Sequence, residues 1–118
     1  MTARDVLAAY AERINAQDFD LLLDLLAPDA VFWFTDGKHR GVDAIRAAFE
    51  ATWEAMGPNE RYWLTEIEWV AEGDAAASCI YQFNWSARGM SGSGRGTTVL
   101  ARTSAGWRIA HEHLSRLP

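Results

Sequence analysis

The last β-prone segment of the sequence carries its most chemically suggestive side chains. His111, Glu112 and His113 follow one another there in an alternating apolar and polar pattern. A carboxyl group enclosed by apolar side chains has a raised pKa and can act as a general acid or base near neutral pH. Glu112 and His111 are therefore candidate catalytic residues. For Glu112, a plain ion pair with an arginine on a neighbouring strand is the competing interpretation.

The two histidines of this segment also have a spacing that suits a metal. In a strand, His111 and His113 point to the same face and can chelate zinc together. A zinc site needs a third protein ligand, and only His39 and Cys79 are left to supply it. We therefore expect no metal and no cofactor. Partly buried, hydrogen-bonded histidines at a subunit contact are the simpler interpretation, and Cys79 is interpreted as a buried, inert thiol.

Aromatic residues are abundant, at 12% of the chain with six tryptophans. Tyr81 belongs to a series of rings that alternate along predicted strands, whereas Trp33 and Trp53 lie on a predicted hairpin and helix. Core packing accounts for most of these rings, and a surplus around a cavity suits a flat, hydrophobic small molecule. These three residues are therefore candidate ligand-binding residues.

Helical spacing of apolar residues dominates the first half of the chain. Thr2 and Asp5 have the spacing of a capping box at the start of this pattern. The pattern predicts three helices, over residues 3–16, from Asp18 to Pro28, and from 42 to Gly57. Between the second and third helices, the run 31–34 and the turn Asp36-Gly37 predict a β-hairpin.

After Gly57 the sequence changes from helical spacing to strict alternation, which is typical of strands. The alternation predicts long strands over 60–71, 75–87, 95–103 and 106–115. The glycine-rich stretch 89–96 is interpreted as a flexible hairpin loop. Helices first and strands later indicate an α+β fold, in which a curved antiparallel sheet carries helices on one face.

Length and charge restrict the function. The chain has 118 residues, which predicts one domain over 1–118, and its net charge of −5 argues against nucleic acid as a partner. We find no apolar segment long enough for a membrane span or a signal peptide, and the single cysteine fits a reducing compartment. We therefore expect a cytoplasmic protein without nucleic-acid or membrane partners.

Four local motifs, together with the order of elements, carry a family resemblance. They are Ile14-Asn-Ala-Gln-Asp-Phe-Asp20, Ala27-Pro-Asp-Ala-Val-Phe32, Gly41-Val-Asp-Ala-Ile45 and Gly106-Trp-Arg-Ile-Ala-His-Glu-His-Leu-Ser115. The chain resembles the nuclear transport factor 2-like superfamily, specifically its SnoaL-like domains, and is similar to the association domain of calcium/calmodulin-dependent kinase. The resemblance implies a cone-shaped domain whose sheet wraps around three N-terminal helices, leaves a cavity and forms a homodimer.

The family includes ketosteroid isomerases, and their pattern can be carried over residue by residue. Tyr10 falls at the position of the oxyanion-donating tyrosine on the first helix. The general-base aspartate of the isomerases is replaced by Phe34 or its neighbour Trp33, and their protonated acid falls near Thr98. Because phenylalanine cannot move a carbon-bound proton, the isomerase mechanism is not expected. The epoxide hydrolases of the family need two carboxylates bridged by an arginine on the sheet. No acidic residue lies between Asp74 and Glu112, so this arrangement is not expected either.

The resemblance and the apolar pattern disagree about which face of the last strand is inside. Apolarity places Ile109 inside and, by alternation, takes His111 with it. The resemblance directs Leu114 into the cavity, which brings Glu112 inside and turns the histidines toward a partner subunit. We prefer the second arrangement, because these sheets bury both faces when they dimerise.

Three functions follow from these residues. The first is a homodimeric domain that binds a small hydrophobic molecule without catalysing a reaction, with Phe34, Thr98 and Leu114 joining the aromatic candidates at the ligand. The second is a cofactor-independent acid–base enzyme of the cyclase, dehydratase or isomerase type that uses Glu112 or His111 with Tyr10. The third is an association module without a ligand.

Overall fold

The computed structural model describes residues 1–117. Its helices are α1 (Ala3–Ile14), a short 3-10 helix (Phe19–Leu25) and α2 (Val42–Met56). Its strands are β1 (Leu26–Phe34), β2 (Gly37–Arg40), β3 (Arg61–Glu72), β4 (Ala76–Ala87), β5 (Met90–Thr103) and β6 (Gly106–Arg116). The α+β class is confirmed, with the helices in the first half of the chain and four long strands in the second.

The start of α1 is fixed by the predicted capping box. The Thr2 hydroxyl accepts the Asp5 amide at 3.1 Å, and the Asp5 carboxylate accepts the Thr2 amide at 2.8 Å. These two bonds satisfy donors that the first turn of a helix leaves unpaired. The helix ends at Ile14, two residues earlier than predicted, and Gln17 then turns the chain with a φ of 54°.

One six-stranded sheet, in the order β2-β1-β6-β5-β4-β3, curves around the helices. Neighbouring strands are antiparallel except β1 and β6, which are parallel, so the sheet is mixed rather than purely antiparallel as predicted. β1 and β6 are not joined by a tight turn, because the hairpin and α2 lie between them in the chain. The last strand, β6, can therefore pair with β1 in the parallel direction. As a result β6 lies centrally and β3 is an edge strand.

The sequence predicted that Pro28 ends the second helix. In the structure Pro28 lies within β1 instead. The preceding 3-10 helix already ends at Leu25, and the pairing register of β1 shifts between Leu26 and Val31. Proline lacks an amide hydrogen and is tolerated in a strand at such an irregularity.

The prediction of a flexible loop over 89–96 is wrong. Only Arg88 and Gly89, with φ values of 53° and 76°, form the turn, and β5 begins at Met90. The glycines of this strand lie opposite three inward aromatic residues of β4 in the pairs Tyr81–Gly96, Phe83–Gly94 and Trp85–Gly92. A Cβ atom on any of the three glycines would overlap the facing ring. They therefore make room for rings that lie against the sheet.

A β-bulge in β6 explains why apolarity and the family resemblance predict opposite inner faces for this strand. Val99 pairs with His111 while the next residue, Leu100, pairs with Ile109, so Ala110 is an extra residue in β6. A bulge shifts the alternation by one position. Ile109 and Glu112 are consequently both buried, although strict alternation assigns them to opposite faces.

Candidate functional site

Glu112 lies at the centre of a buried polar cluster inside the cone. Its Oε2 accepts the Tyr10 hydroxyl at 2.7 Å, and its Oε1 accepts the Tyr81 hydroxyl at 2.9 Å. The Thr98 hydroxyl lies 2.8 Å from that of Tyr81. We call these four residues the Glu112 cluster. None of them is more than 5% exposed.

Four separate elements bring these side chains together. Tyr10 lies on the buried stripe of α1, one turn after Val6 and one before Ile14. Thr98 of β5 is the direct cross-strand partner of Glu112, and Tyr81 of β4 is directed over Gly96. The bulge in β6 turns Glu112 inward, so the cluster depends on that irregularity.

Burial raises the pKa of Glu112 from 4.5 to about 7, and the hydrogen bonds donated by Tyr10 and Tyr81 oppose the rise. Desolvation disfavours the carboxylate, whereas donated hydrogen bonds favour it. The pKa values of both tyrosines are raised well above 10, first by burial and then by the charge of Glu112. The phenols therefore remain protonated while the carboxyl group titrates near neutrality.

The hydrogen bonds of the cluster have one consistent direction. Tyr81 has a single hydroxyl hydrogen and donates it to Glu112, so Thr98 must donate to Tyr81. Both phenols thus donate to an ionised carboxylate. Adding a proton to Glu112 turns one of its oxygens into a hydroxyl, which accepts a hydrogen bond from a phenol more weakly than the carboxylate does. Within residues 1–117 the partners of this carboxyl group are hydroxyl groups, and no arginine forms the ion pair considered above.

Of the remaining candidate residues, one lies beside the Glu112 cluster and others lie on the outer face of the sheet. Leu114 packs against the aromatic residues of β4 beside the cluster. His111 points to the outer face of the sheet, where its Nδ1 lies 2.6 Å from the Val31 carbonyl oxygen. On the same face Trp33 is 50% exposed, with its ring 6.0 Å from that of His113. His111 and Trp33 are thus separated from Glu112 by the sheet.

Phe34 and Trp53 belong to a third location, the aromatic core beneath α2. Their rings lie 5.6 Å and 5.3 Å from that of Phe49. Phe49 in turn contacts the Tyr10 ring edge-on at 6.3 Å, so this core borders the Glu112 cluster without reaching its carboxyl group. In the part of the chain that the structure describes, no group of three or more metal-ligating side chains occurs.

A groove of about 540 Å³ lies between α1 and the edge strand β3. One end is crossed by Arg4, whose guanidinium group donates two hydrogen bonds of 2.8 Å to Glu72. The other end is crossed by Asn15, which is hydrogen-bonded to the backbone of Tyr62. We call it the α1–β3 groove. Its walls are largely apolar: Leu7, Ala8, Ala11, Tyr62, Trp63, Leu64, Ile67 and Trp69.

Leu7 and Tyr62 connect the groove to the buried cluster. Both line the groove, and both pack in the cluster of apolar side chains that contains Tyr81. The Tyr62 ring stacks on Phe83 with centroids 6.3 Å apart, and burial followed by the charge of Glu112 raises its pKa well above 10. One layer of side chains therefore separates the groove from Glu112.

Sequence reasoning missed the groove residues. The signal available was Asn15 in the motif Ile14–Asp20, but its contact with Tyr62 spans 47 positions and depends on how α1 packs against the sheet.

A family model described as a SnoaL-like domain matches residues 7–116. The chain belongs to this family. The match covers every strand and residues 7–14 of α1, including the Glu112 cluster and most of the groove. Among proteins of curated function, none matches the sequence.

Solved structures share the fold of this SnoaL-like domain. A nuclear transport factor 2-like protein from Salmonella enterica is similar with a TM-score of 0.84 and 23% identity, over 97% of this chain and 87% of the other. A protein from Novosphingobium aromaticivorans described as a putative aromatic ring hydroxylase has a TM-score of 0.81 and 22% identity, over 98% and 86%. An uncharacterised Caulobacter vibrioides protein with a cystatin-like fold has a TM-score of 0.84 and 20% identity, over 98% and 87%. These likenesses concern the fold.

Proposed function

We propose that this SnoaL-like domain is a homodimer that binds a small hydrophobic molecule in the α1–β3 groove. The observation that carries the proposal is the form of this groove, which is apolar along its walls and crossed by side chains at both ends. Its volume of about 540 Å³ lies in the range of small-molecule sites in proteins. The groove has room because α1 presents Ala8 and Ala11 to it, where larger residues would fill the space.

The floor of the groove supports the same function. Leu7 is buried, and Tyr62 is partly exposed with its ring anchored against Phe83. A ligand lying on these two side chains contacts apolar surface on three sides. Trp63 and Ile67 are 41% and 47% exposed at the rim, and a ligand would remove part of this apolar surface from water.

The proposed location is the cytoplasm. Cys79 is free and buried, and a free thiol fits a reducing compartment.

The outer face of the sheet supports the homodimer. Its centre is polar but uncharged: Asn84, 7% exposed, is linked by hydrogen bonds to Gln82, Thr65 and Ser93. Beside this network Ile80 is 41% exposed. Charged residues flank this centre, with Arg95 opposite Gln82 and Glu68 opposite Ile80. An uncharged centre with some exposed apolar area and a charged rim is typical of a subunit interface.

Filling the groove tests the binding function. The probe is 8-anilinonaphthalene-1-sulfonate, a flat apolar anion whose fluorescence rises in apolar surroundings. We expect Ala8→Phe, which fills the groove from α1, to reduce the probe's affinity at least tenfold. The matched control is Ala51→Phe on an exposed position of α2, which should bind like the wild type. Equal binding by all three proteins would remove the groove as the site.

A second function, acid–base catalysis, is favoured by one observation, the pKa of about 7 at Glu112 between two phenol donors. A general acid or base works best when its pKa lies near the working pH. Because Glu112 is 1% exposed, a substrate reaches it only after Leu7 and Tyr62 move aside. Turnover of a groove ligand that disappears in Glu112→Gln, while the ligand still binds, would establish this function.

A further inference from the structure

The end of the α1–β3 groove contains a pairing between a side chain and the sheet edge. Asn15 Nδ2 donates to the Tyr62 carbonyl oxygen at 2.9 Å, and Asn15 Oδ1 accepts the Tyr62 amide at 2.7 Å. A primary carboxamide thus takes the place that another strand would occupy beside β3. This pair also shows that the amide and carbonyl of Tyr62 point away from β4 and into the groove.

Strand alternation gives Leu64 the same outward direction. Residues 61–65 of β3 pair with 86–82 of β4 without interruption, so main-chain groups two positions apart point the same way. The amide and carbonyl of Leu64 consequently face the groove about 7 Å beyond those of Tyr62. Within residues 1–117 we find no hydrogen-bond partner for them. The alternation ends at Glu66, whose φ of 54° lies in the register shift after Thr65.

The opposite wall leaves space at this position. Ala11 precedes Asn15 by four residues, which is about 6 Å along α1 and close to the distance between Tyr62 and Leu64 on the strand. A long side chain at 11 would reach the strand as Asn15 does, but alanine does not. The groove therefore offers one outward amide and carbonyl pair at Leu64, facing a gap.

We propose that the groove recognises ligands bearing a carboxamide or lactam, which pairs with the main chain of Leu64 as Asn15 pairs with Tyr62. The inference rests on the proposed binding function and names the chemical class of its ligand. The apolar part of such a ligand lies along Ile67 and Trp69, and its adjacent donor and acceptor replace water on the edge of β3. Both main-chain groups of Leu64 are then satisfied inside an apolar groove.

Two isosteric probes test the inference. 2-Quinolone is a flat lactam with its N–H and C=O on one edge, and coumarin has the same shape with oxygen in place of the N–H. We expect 2-quinolone to bind roughly tenfold more tightly, which corresponds to one additional net hydrogen bond. Coumarin keeps the C=O that accepts the Leu64 amide hydrogen and lacks only the N–H that donates to the Leu64 carbonyl. In NMR spectra, the Leu64 amide proton should therefore move downfield with both probes, and the Leu64 carbonyl carbon should shift with 2-quinolone only.

Two variants at position 64 separate the effect of the main-chain amide from the effect of the side chain. Leu64→Pro removes the outward amide hydrogen and no ladder hydrogen bond, an arrangement that edge strands tolerate. Leu64→Ala loses the same side-chain packing and keeps the amide. Both probes use their C=O toward this amide, so we expect both to bind markedly less tightly to Leu64→Pro than to Leu64→Ala. The preference for 2-quinolone should persist in both variants, because proline keeps the carbonyl that accepts the lactam N–H.

Failure of the inference can be distinguished from failure of the binding function. If anilinonaphthalene sulfonate binds and Ala8→Phe blocks it, but the two isosteres bind equally, the carboxamide inference is wrong and the groove remains a site. If neither the dye nor the isosteres bind, both proposals are wrong. Equal affinity of 2-quinolone for Leu64→Pro and Leu64→Ala would also overturn the inference.

Discussion

The Tyr10 hydroxyl lies 2.7 Å from the Glu112 carboxylate and joins the first helix to the last strand across 102 positions. Both groups are buried, so this bond forms where water cannot compete with it. It is the link through which the titration of Glu112 acts on the packing of α1 against the sheet.

The raised pKa of Glu112 makes stability depend on pH. Because the pKa is about 7 in the folded chain and 4.5 as the ordinary value, the folded state binds more protons between these limits. The contribution of Glu112 to the free energy of unfolding is full below pH 4.5 and is lost as the pH rises toward 7, on the order of 3 kcal/mol in all. Glu112→Gln should remove it.

Urea denaturation of wild type and Glu112→Gln between pH 4.5 and 8 measures this difference. Other carboxyl groups affect both proteins alike, so the difference between the two curves isolates Glu112. We expect the variant to gain stability relative to the wild type as the pH rises. A difference that does not change with pH would show that Glu112 keeps an ordinary pKa.

The two phenol donors should hold the pKa of Glu112 down. Tyr10→Phe and Tyr81→Phe each remove one hydrogen bond that favours the carboxylate. We therefore expect each variant to raise the pKa of Glu112 further, and to lower stability by about 1–3 kcal/mol at pH 8. Carbon-13 NMR titration of the Glu112 carboxyl group measures the first effect. Tyr62→Phe is the control, because no hydrogen bond joins its hydroxyl to Glu112 within residues 1–117. Unchanged titration in both test variants would contradict the cluster.

The glycines of β5 should be intolerant of even one methyl group. In Gly94→Ala the new Cβ overlaps both the Phe83 ring and the Ser115 backbone oxygen, and we expect a loss of about 1–3 kcal/mol from overpacking. Gly73→Ala is the control, since its Cβ meets only the Ala76 carbonyl at 3.4 Å. Thermal unfolding compares the two, and Phe83→Leu should partly restore Gly94→Ala. Equal stability of the two alanine variants would indicate that 92–96 is the flexible loop after all.

A charge on the outer face of the sheet should dissociate the proposed homodimer. Ile80→Asp replaces an exposed apolar side chain of the proposed interface with a carboxylate opposite Glu68, and burying such a charge at an interface is costly. Leu23→Asp is the control, because Leu23 is similarly exposed, at 40%, but lies on the 3-10 helix. Sedimentation velocity should give a monomer for the first variant and a dimer for the second. A wild-type monomer would contradict the proposed assembly, and a large ring would favour an association module.

The sequence was sufficient for the order of elements, because helical spacing and alternation are local properties. The sequence was misleading where the type of a residue is explained by its contacts with distant parts of the chain. Gly92 and Gly94 suggested a loop by composition, but they are needed opposite two aromatic rings in a regular strand. Pro28 suggested a helix end, but an irregular register accommodates it within β1.

For the site, the sequence pointed to Tyr10, Tyr81, Thr98 and Glu112, which the structure brings together, but not to the groove. The bulge at Ala110 has no signature in the alternating pattern, which is why apolarity and family resemblance each described only half of β6. Asn15 and Tyr62 were not predicted, because their pairing depends on the position of α1 relative to an edge strand.

The most direct test of the central claim is a nitrogen-15 NMR titration of the wild-type protein with anilinonaphthalene sulfonate. Binding in the α1–β3 groove predicts the largest shifts at Leu7, Ala11, Leu64 and Trp69, with small shifts on the outer face at Ile80 and His113. Shifts confined to the outer face, or no saturable shifts at all, would contradict the assignment of the groove as the binding site.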